Sequence, residues 1–145
     1  MKSLVWFRGD LRLDDNPALR NACENYEEVS AVFLFSPKQL NLHNEANIKV
    51  DFLIKNLVLL EKKLNDLNIC FTIIESEGFS FDKGYISNLA AKSNIDKVFW
   101  NNQFGEDELH RDLEVSEALA SNKINYESFD DQVVYKPGTL KTGQG

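Results

Sequence analysis

Three segments of this 145-residue chain carry side chains able to do chemistry. The first is Trp100-Asn101-Asn102-Gln103-Phe104-Gly105-Glu106-Asp107-Glu108, where three amides run directly into three carboxylates. A carboxylate accepts two parallel N–H bonds, so this run can grip the paired donors of a heterocycle such as a 2-amino-4-oxopyrimidine edge. It can equally be a helix start, because acids in a first turn each gain about 0.3–1 kcal/mol from the helix dipole. The second segment, Arg8-Gly9-Asp10-Leu11-Arg12 through Asp15-Asn16-Pro17, offers two guanidinium groups for an anion or a partner surface. The same arginines can instead pair with Asp10 and Asp14, and Asp15-Asn16-Pro17 reads as a helix cap. The third is His43, which can hydrogen-bond or stack on a ring, or be a surface histidine near a helix start.

Other chemistries find no residues. His43 and His110 are the two histidines, neither set beside a nucleophile, and His110 is expected to face solvent one turn past Asp107. The loop at Arg8 has neither GxGxxG nor GxxxxGK[ST], so it does not cradle a dinucleotide or P-loop phosphate in the usual way. Cys23 and Cys70 lack CxxC spacing and are expected to be reduced, packed thiols. Two Cys and two His make a structural zinc site improbable, and no metal site is expected. Trp6 and Trp100 lie in apolar runs and are expected to pack in the core.

Two alternating periods define the elements that must hold these residues. Leu4-Val5-Trp6-Phe7 is an unbroken apolar run, as in a strand buried on both faces, and similar runs occur at Val29–Phe35, Ile69–Ile74 and Val98–Trp100. Ile124–Phe129 is a weaker fifth. Between them, Asn16-Pro17 opens a helix through Cys23. Val50, Leu53, Ile54, Leu57, Leu60, Leu64 and Leu67 form one stripe of a long helix. A third helix spans Ser80–Ser93, and a fourth begins near Gly105 with Leu109, Leu113 and Leu119 on one face. Strand and helix in alternation imply an α/β, Rossmann-like, doubly wound five-stranded parallel sheet with helices on both faces. In such sheets ligands bind beyond the carboxyl ends of the strands.

Composition agrees with one globular unit. Ten Phe, four Tyr and two Trp exclude a solvated disordered chain, and no apolar run is long enough for a membrane span. A net charge of -7 disfavours direct contact with nucleic acid. The first ten residues lack a secretory pattern, so a cytoplasmic location is expected.

Leu4 to Leu19 (LVWFRGDLRLDDNPAL) resembles, nearly residue for residue, the opening of the DNA photolyase/cryptochrome family. Asn101-Asn102-Gln103-Phe104, Arg111 to Val115, Phe129 to Val134, and the Pro137-Gly138 to Thr142-Gly143 stretch resemble later parts of its N-terminal domain. The resemblance implies an antenna domain over residues 1–135 and the start of an interdomain linker at 136–145. Its chromophore would be methenyl-tetrahydrofolate, or alternatively a deazaflavin or FMN. Excitation would pass to an FAD held by a helical domain beginning just past Gly145, which would also bind the damaged DNA. The full protein would then be a deoxyribodipyrimidine photolyase repairing cyclobutane dimers by light-driven electron transfer, with no catalytic residue in this chain. Carried over by position, His43, Asp107 and Glu108 would contact the pterin, with Asp107 standing where the family pattern suggests Asn. Arg8, Asp10 and Arg12 would serve loop or domain-interface contacts. A cryptochrome-type signalling protein shares the same N-terminal pattern. An adenine-nucleotide-binding α/β domain is disfavoured by the missing glycine-rich loop.

Overall fold

The run Leu4-Val5-Trp6-Phe7 becomes the middle strand of the sheet, all four side chains at most 2% exposed. The computed structural model describes residues 1–42 and 46–131, so the expected linker and His43 lie outside the described residues. In chain order the elements are β1 (Lys2–Phe7), α1 (Pro17–Asn25), β2 (Glu28–Phe35), α2 (Pro37–Leu42), α3 (Asn47–Asp66) and β3 (Cys70–Glu75). α4 (Phe79–Lys92), β4 (Lys97–Asn101), α5 (Glu106–Ser121) and β5 (Asn125–Phe129) complete the series.

The sheet runs β3-β2-β1-β4-β5 and every pairing is parallel. Alternation along β1 divides the core. Val5 and Phe7 face α1 and α3 with Phe33, Leu57, Leu60 and Leu64. Leu4 and Trp6 face α4 and α5 with Ile86, Val98, Trp100 and Val115. Helices thus cover both faces, as the alternating pattern implied. Chain order reverses at β1, which sends one crossover to β2 and receives β4 on its other side, and a crevice opens there above the strand ends.

Each helix start and stop has a local cause. Asn16 caps α1, its side chain accepting the Leu19 N–H at 3.1 Å, with Pro17 at the first helical position. α3, α4 and α5 end alike, at Asn68, Asn94 and Lys123, each in the left-handed region with φ between 52 and 59°. The next residues, Ile69, Ile95 and Ile124, donate their N–H back to Leu64, Ala90 and Leu119 and bury their side chains. This is the Schellman closure, in which the residue after the left-handed one returns to the helix with an apolar contact.

Four expectations need correction. α5 buries Arg111, Val115 and Leu119, while Leu109 and Leu113 are exposed, because the face that packs on the sheet through Val115 and Leu119 continues at its first turns into Arg111 and Glu108 at the crevice. On α3 the buried stripe narrows to Leu57, Leu60 and Leu64; Ile54 and Leu67 are exposed along with Ile48, Phe52, Val58 and Leu59. Cys23 and Cys70 are free thiols but exposed rather than packed. The segment after β2 contains the short helix α2, which the sequence pattern did not show. Among the described residues no helix is long and apolar enough to cross a membrane.

Candidate functional site

Above the carboxyl ends of β1 and β2 lies a cleft of about 420 Å3. β1 brings Trp6 and Arg8, β2 brings Phe33 and Phe35, α4 brings Phe79 and Asp82, and α5 brings Glu108 and Arg111. The volume falls within the roughly 300–1,000 Å3 range of small-ligand sites.

Its inner wall is a stack of charge on aromatic faces. The Arg8 and Arg111 guanidinium carbons lie 4.8 and 5.0 Å from the centre of the Trp6 ring, and Arg111 also lies 4.6 Å from that of Phe79. Both cations share Asp112: Arg8 Nη1 donates to its Oδ1 at 2.5 Å, and Arg111 donates to the same oxygen through Nε at 3.1 Å and Nη2 at 2.9 Å. Arg8 also donates to the Asn101 carbonyl, and its buried Nε has no partner among the described residues. Burial, then the neighbouring Arg111, lowers the Arg8 pKa to about 10, while Asp112 opposes the fall. Arg8 therefore stays cationic at neutral pH.

The three amides after β4 serve three different tasks. Asn101 is buried and ties the loop after β1 together, donating to Asp10 Oδ2 at 2.6 Å and Asn16 Oδ1 at 2.8 Å while accepting from the Ala18 N–H. Asn102 donates to Asp130 at 2.7 Å. Only Gln103 of the three lines the cleft, its Oε1 accepting from Arg111 Nη2 at 2.9 Å.

The expected site residues separate in space. Glu108 is half-buried and lines the cleft. Its carboxylate folds back over Gly105, where a Cβ would come within 1.9 Å of Oε2, so glycine leaves the space that Glu108 occupies. Asp107 is exposed and lines a neighbouring groove with Phe79, His110 and Glu114. His43 lies outside the described residues. Arg8 and Arg12 do not pair with Asp10 and Asp14: Arg8 turns inward to Asp112, and Arg12 reaches Asp131 at 2.6 Å. Asp10 is a knot for its own loop, accepting the Arg8 N–H at 2.8 Å as well as the amides of Asn16 and Asn101.

Sequence reasoning missed Asp82, Phe79 and Arg111 as parts of one site. Asp82 is 3% exposed and accepts the Ser76 hydroxyl at 2.6 Å. Burial raises its pKa to about 6, against the opposing pull of Ser76, Arg111 and Arg8. Nothing local in the sequence marks either Arg111 or Asp82 for this site.

The family model for DNA photolyase matches residues 3–145. The deoxyribodipyrimidine photo-lyase of Buchnera aphidicola subsp. Baizongia pistaciae is 35% identical over 99% of this chain, and that of Escherichia coli K12 is 34% identical over 97%. The chain spans 30% and 29% of those two proteins. Cryptochrome-1 of Arabidopsis thaliana is more distant, at 27% identity over 93% of this chain and 19% of its own length. Among solved structures, an archaeal photolyase from Sulfolobus tokodaii, determined with two FAD molecules, superposes with a TM-score of 0.86. That match covers 98% of this chain and 32% of the other at 24% identity, and it is a likeness of fold. With a family match across nearly its whole length, the chain belongs to the DNA photolyase family.

Proposed function

We propose that this chain is the light-harvesting, chromophore-binding part of a deoxyribodipyrimidine photolyase. Repair of cyclobutane pyrimidine dimers by electron transfer from FAD would fall to the part of the protein that this chain does not span, and the chain alone would be non-catalytic. That other part would also make the contact with damaged DNA, consistent with the acidic balance here.

The observation that supports this reading is the cleft itself: Phe33, Leu34 and Phe35 line it beside the guanidinium groups of Arg8 and Arg111 that stack on Trp6 and Phe79, and Glu108 lines it as well. Such a site suits a planar conjugated ring with a polar edge. Methenyl-tetrahydrofolate would place the exocyclic amine of its aminopyrimidinone edge on the Glu108 carboxylate. Asp107 and His43 would be reached by whatever part of the ligand extends past the first turn of α5. A flavin-type ring, deazaflavin or FMN, is the second reading, favoured by the arginine–aromatic wall whose cations would meet its carbonyl oxygens.

An absorbance titration of the chain with methenyl-tetrahydrofolate and with FMN, repeated on Glu108→Ala, tests both. Saturable folate binding that weakens about tenfold or more on the substitution supports the first reading, in line with the loss of a charge-assisted pair. FMN binding indifferent to the substitution supports the second. Failure of both ligands to bind overturns the antenna assignment.

A further inference from the structure

Asp82 lines the cleft with only one of its two carboxylate oxygens paired among the described residues. A buried carboxylate is costly unless its oxygens are paired, yet only Oδ1 is: it accepts from Ser76 Oγ. Oδ2 has no partner among the described residues, and the side chain lines the cleft. Nearby on α5, Arg111 spends Nε and Nη2 on Asp112 and Gln103, and Nη1 has no partner among the described residues. The cleft wall therefore presents one free acceptor and one free donor.

A ligand edge that satisfies both must offer a donor beside an acceptor. A phosphate or carboxylate offers acceptors alone and would be repelled by Asp82. A hydrocarbon edge would leave both groups desolvated and unpaired, which selects strongly against it. The lactam unit –NH–C(=O)– meets the requirement, its N–H on Asp82 and its oxygen on Arg111. We propose that Asp82 is the specificity-determining residue of the cleft, selecting a ring with a lactam edge by accepting its N–H; this rests on the reading that the cleft holds a chromophore.

The support beneath Asp82 fits that task. Ser76 Oγ lies 3.3 Å from the Gly78 carbonyl and accepts the Gly78 N–H at 3.2 Å. Its single proton can thus go to the carboxylate, or to Gly78 when Asp82 is itself protonated. Asp82 is held in place in either state, and Oδ2 stays turned to the ligand.

Pterins and flavins share the lactam edge, so the experiment carries an arm for each. Calorimetric titrations of the chain, Asp82→Ala and Asp82→Asn would use FMN, its N3-methyl derivative and methenyl-tetrahydrofolate, with far-ultraviolet circular dichroism confirming that each variant folds. N3-methylation should weaken FMN binding about tenfold or more in the unaltered chain and have no effect in Asp82→Ala. Asp82→Asn, whose amide oxygen still accepts, should restore most of the discrimination. If folate alone binds, Asp82→Ala should weaken it by a similar factor and Asp82→Asn should recover it. Undiminished discrimination in Asp82→Ala, or folate binding unchanged by it, overturns the inference and leaves the chromophore reading standing. Absence of binding by every ligand overturns both.

Discussion

Asp82 also sets a pH dependence on folding. The groups facing it are Ser76 before α4, Arg8 at the end of β1, and Arg111, Asp112 and Glu108 on α5. Burial outweighs the favourable ones and lifts the carboxyl from 3.8 to about 6. Because the folded value lies above the unfolded one, the stabilisation from this group is complete below about pH 4 and is lost as pH rises through 6. A shift of that size corresponds to about 3 kcal/mol at neutral pH. Urea unfolding across pH 4 to 8 should therefore show Asp82→Asn more stable at pH 7, by about 1–3 kcal/mol, and with a flatter profile between the two values. Parallel profiles for the two proteins would mean that the buried carboxyl ionises without cost. In sequence this residue is one acid in the first turn of a helix, indistinguishable from a dipole partner. Its environment comes from Ser76 before the helix and from Arg8 and Arg111, the latter 29 positions along the chain, and no local pattern encodes that meeting. That Glu108 would stand beside the strand ends was legible because its residue type and its place after β4 coincided in one short run.

At the level of elements, the crossover helices α3, α4 and α5 close with the same turn, yet their left-handed positions are filled unequally. Asn68 and Asn94 tolerate the conformation, whereas Lys123, at φ 59°, has no side chain suited to it. Replacing Lys123 by glycine should raise the unfolding free energy by about 0.5–1 kcal/mol, and thermal denaturation would show it as a higher Tm. An unchanged or lower Tm would mean that the lysine contributes interactions that offset its strained backbone. The helices themselves were legible from period and caps, but which side of α5 faces inward was not. Leu109 and Leu113 outcompete Arg111 on any hydropathy scale, and Arg111 is buried because Trp6, Phe79 and Asp112 enclose it. Likewise the pattern on α3 counts every apolar residue, whereas only Leu57, Leu60 and Leu64 are buried against the sheet, with Leu53 partly so.

The molecule as a whole brings together what the chain keeps apart. Residues 6, 8, 82 and 111 share a wall because chain order reverses at β1 and because α4 and α5 lie on one face of the sheet. Unbroken apolar runs made the parallel, two-sided sheet readable. The strand order was not readable, since each buried run would pair equally well with several others. Trp6 gives this arrangement a practical consequence. It is one of the chain's two tryptophans, stands edge-on to Trp100 at 5.9 Å, and forms part of the cleft wall, whereas Trp100 does not. A pterin or flavin seated on that wall absorbs at the wavelengths where indole emits. The unlabelled protein should therefore lose intrinsic fluorescence in proportion to occupancy, saturating at the ligand concentration found by calorimetry. The residue that shapes the floor of the cleft would double as its optical gauge.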